Sequence, residues 1–156
     1  VLDKGKRAGV TLLKDEVGIM SDYGYNPNPF FDEWHQLLRK YMWNNFSEFI
    51  ADRGMTDMTI TSLWTQITKN DVWHPPHNHG VWDKQVRWSF VWYVDVNEKV
   101  HNGTRYYSTP NCNTEWISLP KQGKFFMWPS HVIHCQLPSH SSIDRAIISG
   151  NIELIQ

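Results

Sequence analysis

The chain has 156 residues, the size of one compact domain with a substantial hydrophobic core. Its formal net charge is −1 at pH 7, without the basic excess of proteins that bind nucleic acids or anionic membranes, so we expect neither partner. No apolar run approaches the ~20 residues of a membrane span. No signal peptide is recognised, and two cysteines, Cys112 and Cys135, are too few for a disulfide framework. We therefore expect a cytoplasmic chain with reduced thiols; a single disulfide is the alternative.

The first third of the chain is predicted to form an arm and one helix. Residues 1–28 contain scattered glycines and run into the helix-breaking segment Asn26-Pro27-Asn28-Pro29, so we expect an arm or a strand there. Over residues 30–53, aromatic and aliphatic side chains recur at steps of three and four, which indicates an amphipathic helix packed on the core. Gly54 is a natural end for this helix.

The rest of the chain, residues 57–154, is predicted to be a β-barrel or sandwich. Short segments rich in β-branched and aromatic residues alternate with turn clusters, and we expect strands near 57–68, 86–96, 104–108, 114–118, 123–128, 131–137 and 143–154. The segment 86–96 is apolar on both faces, which is typical of a central strand. Seven strands packed by one long helix indicate a mainly β single domain over residues 1–156, without βαβ units.

Three histidines in the stranded part are spaced as a mononuclear metal site requires. His77 and His79 lie in a Pro-rich turn just before a strand, and alternate residues of an extended chain share a face, so two imidazoles can converge on one ion. His134, on a distant strand, would complete one side of an octahedron and leave positions for a substrate and O₂, as in non-heme Fe(II) oxygenases. The alternative is a polar loop whose histidines only form hydrogen bonds.

The other histidines are not predicted to bind metal. His74 could approach the metal, but the Pro75-Pro76 pair is expected to direct it outward. His131 lies three residues before His134, on the opposite face of a strand. Three more are expected at the surface: His35, His101 and His140. A structural zinc site is disfavoured because the chain has no Cys-x-x-Cys pair.

Four motifs occur in a fixed order: Pro76-His77-Asn78-His79-Gly80, Ser89-Phe90-Val91-Trp92-Tyr93, Trp128-Pro129-Ser130-His131-Val132-Ile133-His134, and Arg145 followed by Ser149-Gly150-Asn151. With this order and spacing, the stretch from Trp64 to Ile152 resembles the 2-oxoglutarate and Fe(II)-dependent oxygenases, closest to their small, phage-encoded, prolyl-4-hydroxylase-like branch. The combination is specific, although no single motif is. The resemblance implies a double-stranded β-helix, which is a jelly-roll or cupin-like barrel.

The resemblance also implies a set of metal ligands. The family's first metal-binding histidine corresponds to His77 and its distal histidine to His134. The position two after the first is usually Asp or Glu in the broad family and is His79 here, as in the phage-like branch. Asp83 is the rival third ligand if a turn brings its carboxylate back, and His79 would then orient that carboxylate. We favour His79, because i, i+2 geometry reaches the ion without extra bending.

A cosubstrate anchor is implied as well. Arg145 corresponds to the family's basic anchor for the distal carboxylate of 2-oxoglutarate, and a guanidinium offers a planar fork that suits such a group. It lies within an apolar run, where a charge is costly unless paired, so the alternative is a salt bridge with Asp95 or Asp144. The family often has Ser two residues after this Arg, where this chain has an isoleucine. Tyr93 or Ser149 is expected to supply the hydroxyl instead.

By this resemblance the protein is a dioxygenase that uses Fe(II), 2-oxoglutarate and O₂, with ascorbate as a further reductant, to hydroxylate a C–H bond and release succinate and CO₂. The substrate is expected to be a peptide side chain, prolyl among them, or a small molecule. A phage-encoded chain would work in the host cytoplasm, and the sequence leaves the oligomeric state open. Two alternatives stay open: a cupin-like metal enzyme that does not use 2-oxoglutarate, and a non-catalytic structural or assembly protein of a phage particle that keeps the barrel.

Overall fold

The computed structural model describes residues 12–15, 18–23, 29–68, 73–80, 87–108 and 115–156. These residues form one helix, α1 (Pro29–Ala51), and ten strands. The strands are β1 (Leu12–Asp15), β2 (Gly18–Tyr23), β3 (Asp57–Thr68), β4 (His74–His77), β5 (Arg87–Asp95), β6 (Thr104–Tyr107), β7 (Glu115–Ile117), β8 (Phe125–Pro129), β9 (Ile133–Gln136) and β10 (Arg145–Ile155).

The strands form two antiparallel sheets. The larger sheet has the order β1-β2-β3-β10-β5-β8, and the smaller sheet has the order β4-β9-β6-β7. The long strand β10 lies at the centre of the larger sheet, paired with β3 on one side and with β5 on the other. A mainly antiparallel β structure with one helix is confirmed, and it is consistent with a jelly-roll sandwich. The double-stranded β-helix stays a prediction.

Helix α1 covers one face of the larger sheet. Its side chains Leu38, Met42 and Ile50 lie on one face at helical spacing and are at most 4 % exposed. They join a core cluster with residues of the central strands, such as Ile60 of β3 and Ile152 of β10. The predicted packing helix is therefore confirmed, and its apolar stripe is core.

Gly54 ends the helix in a Schellman motif, as the sequence predicts. Its φ is 68°, a conformation that side chains with a Cβ rarely adopt. The Gly54 N–H donates to Ala51 O at 2.8 Å, and the Met55 N–H donates to Ile50 O at 3.3 Å. These two bonds satisfy carbonyl groups that the last turn would leave free.

Strand β10 separates the helix-facing core from a cavity between the sheets. On one face, Ile148 and Ile152 join the cluster under α1. On the other face, Arg145, Ile147 and Ser149 line the cavity. This alternation follows from the two-residue repeat of a strand, and it places polar groups of the central strand opposite the smaller sheet.

Two features differ from the sequence prediction. The segment His74–His77, predicted to be a turn, is strand β4; its prolines are tolerated because β4 is an edge strand, which leaves N–H groups unneeded. His101, predicted at the surface, is 4 % exposed: its Nδ1 accepts from the Asn97 N–H at 2.9 Å and its Nε2 donates to Ile143 O at 2.9 Å.

In the described part of the chain, no helix has the length and apolar character needed to cross a membrane.

Candidate metal centre

Three predicted site histidines converge beside the edge of the smaller sheet. His77 ends β4 and pairs directly with His134 of β9. His79 follows two residues later, and its backbone N–H donates to Ser130 O at 2.9 Å, which ties this segment to the turn between β8 and β9. One ring nitrogen of each histidine lies within 4.8 Å of the other two, so the three side chains could hold one metal ion.

Each of the three rings has its Nδ1 atom facing an oxygen acceptor. For His77 and His134, the acceptor is the backbone carbonyl two residues earlier, at 2.7 Å and 3.0 Å. For His79, it is the side-chain oxygen of Asn151, at 3.0 Å. Since these oxygens only accept, the ring proton sits on Nδ1 and the Nε2 lone pair is left for the centre. Metal-bound histidines almost always donate their second ring N–H in this manner.

The distance between two of the Nε2 atoms suits a metal ion. His77 Nε2 and His79 Nε2 are 2.9 Å apart. With both Nδ1 protons committed to oxygen atoms, two lone pairs face each other, which is unfavourable unless a cation lies between them. Two ligands at right angles on an ion with metal–nitrogen bonds of about 2.1 Å lie about 3.0 Å apart. The donor set therefore fits two neighbouring positions of an octahedral site.

Burial keeps these histidines neutral. Desolvation lowers the pKa of His134 to about 3 and that of His79 to about 4, and it lowers the pKa of His77 as well. The other imidazoles, by repulsion between like charges, lower the pKa of His79 and His134 further. Because neutral imidazole is the form that binds a metal, the cluster is in its ligand form near pH 7.

A fourth histidine, His74, lines the same cavity, so the prediction that it points outward was wrong. Its ring centroid is 4.1 Å from that of His77, and burial lowers its pKa to about 4. The reason is an irregular register: His74 pairs with Gln136 and His77 with His134, so three steps along β4 match two steps along β9. The extra residue of this bulge turns both histidines to one side.

Arg145 lies in the cavity with the histidines and is 1 % exposed. Its three guanidinium nitrogens have no hydrogen-bond partner among the described residues. Asp95 and Asp144, the partners that the alternative prediction named, are both exposed. Burial lowers the pKa of Arg145, and the neighbouring Tyr93, whose ring lies 5.2 Å from Arg145 Cζ in a cation–π contact, raises it. A buried cation without an anion is costly, and an anionic ligand in the cavity would remove that cost.

The Tyr93 hydroxyl is engaged within the core. It lies 2.7 Å from Ser118 Oγ and 3.0 Å from Thr104 Oγ1, and it accepts from the Thr104 N–H at 3.1 Å. The Tyr93 ring also lies against the Arg145 guanidinium, with its centroid 5.2 Å from Cζ. Ser149, the other predicted hydroxyl, lines the cavity and is 7 % exposed. The part of either hydroxyl in binding a cosubstrate stays a prediction.

Sequence reasoning missed Tyr106 of β6. Its hydroxyl is buried without a hydrogen-bond partner in the described residues. Burial raises the pKa of Tyr106, the neighbouring Tyr93 raises it further, and the charge of Arg145 is among the effects that lower it. The signal was present in the sequence, because alternation along the strand places Tyr106 on the same face as Thr104, which lines the cavity.

Two further residues bear on the third ligand position. Asp83, the rival of His79, lies outside the described residues. Asn151 was noted only as part of a motif, yet it contacts the His79 ring directly. Trp64 stacks on this ring, with centroids 5.3 Å apart. His79 is therefore held by polar and aromatic contacts that adjacency in sequence does not reveal.

Solved oxygenase structures match nearly the whole chain. A prolyl-4-hydroxylase from Pseudomonas putida matches with a TM-score of 0.61 and 13% identity, over 99% of this chain and 83% of that chain. The viral collagen prolyl hydroxylase of Paramecium Bursaria Chlorella virus-1, in its 2-oxoglutarate complex, matches with a TM-score of 0.60 and 13% identity, over 99% and 87%. The non-heme, alpha-ketoglutarate-dependent epimerase SnoN from nogalamycin biosynthesis matches with a TM-score of 0.69 and 12% identity, over 97% and 70%.

This chain has the fold of the 2-oxoglutarate and Fe(II)-dependent oxygenases. The resemblance to this superfamily, predicted from the motifs, is thereby confirmed at the level of the fold. Neither a protein-family model nor a curated protein matches the sequence. The assignment to the phage-type branch stays a prediction.

Proposed function

We propose that this protein is an Fe(II)- and 2-oxoglutarate-dependent dioxygenase that hydroxylates a C–H bond of a peptidyl or small-molecule substrate. One observation carries the proposal: three convergent imidazoles share a cavity with a buried arginine that has no partner among the described residues. Neutral nitrogen donors suit Fe(II), and an unpaired guanidinium suits a carboxylate. A cavity that offers both fits a metal together with a dicarboxylic cosubstrate.

In this proposal His77, His79 and His134 hold the iron through Nε2 and leave positions open for 2-oxoglutarate and O₂. Iron with 2-oxoglutarate supplies the oxidising chemistry, in which O₂ converts the cosubstrate to succinate and CO₂ and one oxygen atom enters the substrate. The chain fixes the three nitrogen atoms before the metal arrives, since each Nδ1 is already bonded to an oxygen. This preorganisation reduces the conformational cost of binding.

Arg145 would bind the distal carboxylate of 2-oxoglutarate. The guanidinium is fixed in a low-dielectric cavity above the Tyr93 ring, where a charge-assisted, two-pronged hydrogen bond is strong. Ser149, on the same face of β10, and Tyr106 are the nearby hydroxyl groups proposed to bind the same carboxylate. Binding would supply an anionic partner to a buried charge that has none in the described part of the chain.

The fold alone does not select the substrate class, because one fold serves several reactions. Two of the similar structures are named as prolyl hydroxylases and one as an epimerase. These names favour a prolyl side chain as the first substrate to test. Localisation in the cytoplasm, use of ascorbate and any oligomer remain predictions of the sequence.

The binding test is anaerobic titration with Fe(II) followed by 2-oxoglutarate, with detection of the metal-to-ligand charge-transfer band in the visible. We expect saturable Fe(II) binding and a band that appears only when both components are present. Metal binding without the band would favour a cupin-like enzyme. Binding of neither component would favour a non-catalytic assembly protein.

The turnover test uses a proline-rich peptide and a matched peptide with alanine in place of proline. Succinate formation and a mass increase of one oxygen atom with the first peptide alone would establish prolyl hydroxylation. Succinate formation without modification of either peptide would keep the oxygenase and reject this substrate.

A further inference from the structure

The three histidines are held by different kinds of acceptor. The Nδ1 atoms of His77 and His134 donate to backbone carbonyl groups, which are present whatever the side chains are. His79 is the exception, because its Nδ1 donates to a side chain, Asn151 Oδ1 at 3.0 Å. The orientation of this ring therefore depends on a residue 72 positions away in sequence.

Asn151 is itself locked by hydrogen bonds on both ends of its amide. Its Oδ1 also accepts from the Ser89 hydroxyl at 2.8 Å, and its Nδ2 donates to Ser62 Oγ at 2.8 Å. Ser130 Oγ lies 2.9 Å from Ser89 Oγ and can donate to it, which frees the Ser89 proton for Asn151. The amide oxygen is thus directed at His79 by partners on strands β3 and β5.

Ser130 also connects the backbone of His79 to this hydrogen-bond network. The carbonyl oxygen of Ser130 accepts a hydrogen bond from the His79 N–H. The Ser130 hydroxyl bonds to the Ser89 hydroxyl, which in turn donates to Asn151. Ser130, in the turn after β8, therefore helps to hold both the main chain and the ring of His79 in place. A shift of either would break bonds between buried groups, since Ser89 and Ser130 are at most 2 % exposed.

We propose that Asn151 is a positioning residue, which fixes the tautomer and orientation of the His79 ring so that Nε2 faces the metal. The inference rests on the proposed function, because it concerns a ligand of the proposed iron site. Asn151 need not touch metal, cosubstrate or substrate. Its effect is to keep the proton on Nδ1, to remove the entropy of ring rotation and to raise the basicity of Nε2.

The test is Co(II) titration of the purified protein, with the visible Co(II) spectrum as a second readout. Asn151→Leu removes the acceptor at similar size, and we expect Co(II) affinity to fall by about 10–100-fold with an altered spectrum, the range for loss of such partners. Asn151→Asp keeps an acceptor for the ring N–H, and we expect it to bind at least as tightly as the wild type. Asn102→Leu is the matched control, because Asn102 donates to Pro138 O and, among the described residues, has no hydrogen bond to His77, His79 or His134. It should bind as the wild type does.

Each outcome decides a separate point. Failure of the wild type to bind Co(II) would overturn the proposed function together with this inference. Equal binding by the wild type and Asn151→Leu would overturn the inference alone. If Asn151→Leu does not fold by circular dichroism, Asn151→Asp decides: a tenfold or greater loss of affinity in a folded Asp variant would reject Asn151 as the acceptor.

Discussion

Arg145 offers the sharpest perturbation, because two roles predict opposite changes in stability. The substitution is Arg145→Met, which removes the charge and keeps an unbranched side chain in the same space. In the structure the guanidinium is 1 % exposed and its nitrogens lack partners among the described residues. Without cosubstrate, the variant therefore loses a desolvated charge and its contact with the Tyr93 ring.

The magnitudes separate the two roles clearly. Replacing buried ionic groups by packed apolar side chains is neutral or stabilises by about 1–4 kcal/mol, whereas breaking a real buried salt bridge costs about 3–5 kcal/mol. We therefore expect the ligand-free free energy of unfolding of Arg145→Met to equal or exceed that of the wild type. Loss of the Arg145 guanidinium should weaken the binding of 2-oxoglutarate by about 2–5 kcal/mol, the range for truncating one side of a buried charged pair.

The assay is urea unfolding with and without 2-oxoglutarate, after loading with a redox-inert divalent metal. Ligand binding to the folded state raises its stability by mass action. The wild type should gain stability with added 2-oxoglutarate, and Arg145→Met should gain little, although its metal affinity should change far less. Arg39→Met is the matched control: Arg39 pairs with Asp57 at 2.6 Å on the surface, where such pairs contribute about 0–1 kcal/mol.

Two results would show that Arg145 does not anchor the carboxylate. If Arg145→Met destabilises the ligand-free protein by about 3 kcal/mol or more and loses metal and 2-oxoglutarate equally, Arg145 is a structural charge with a partner. If the variant responds to 2-oxoglutarate as strongly as the wild type, the carboxylate binds elsewhere.

Three further predictions concern the histidines. His77→Ala and His134→Ala should each abolish Fe(II) binding while circular dichroism stays unchanged, since each removes one of three donors; wild-type affinity in either would remove that residue from the ligand set. For the third position, His79→Ala should abolish Fe(II) binding, His79→Asp should keep a working site and Asp83→Ala should bind normally, as measured by parallel titrations. The reverse pattern, with only a roughly 10–100-fold loss in His79→Ala, would assign the metal to Asp83. For pH, unfolded imidazoles take up a proton near pH 6.5, whereas burial holds the pKa of folded His79 at about 4 and of His134 at about 3. The unfolded state therefore binds more protons in this window, so the metal-free protein should lose stability as pH falls from 6.5 towards 4, with His134 contributing up to about 1.4 kcal/mol per pH unit. Urea unfolding should show this slope reduced in His134→Gln; equal slopes would contradict the assignment.

Much of the fold follows from repeats that the sequence displays directly. The helix from Pro29 to Ala51 and its end were predictable because the apolar residues recur at helical spacing and a glycine, which tolerates a positive φ, follows them. The seven predicted strands correspond to observed strands, since β-branched and aromatic segments between turn clusters suit a pleated, half-buried surface. Strand β4 was missed because prolines normally argue against a strand, and only its position at an edge permits them.

The candidate ligands were predictable from residue type and spacing, but their supports were not. His77 and His134 are directly paired across two strands, a contact that the sequence gives only through the resemblance. Arg145 has no partner among the described residues because Asp95 and Asp144 are exposed, which is a property of the packed structure. Long-range partners such as Asn151 carry no local signal at His79.

Irregularities in strand pairing decide which side chains reach the site. In β3, Asn151 pairs with Ser62 while Ile152 pairs with Ile60, so Thr61 is an extra residue opposite the central strand. Met58 and Ile60 face the helix before this bulge, and strict alternation would send Ser62 to the same side, away from the Asn151 amide. A one-residue shift moves every later side chain of a strand to the other face. The bulge thus places Ser62 beside Asn151, and through Asn151 it helps to fix the ring of His79. The chemistry of such a site can be predicted from its residue types, whereas the orientation of its ligands depends on single-residue insertions that alternation hides.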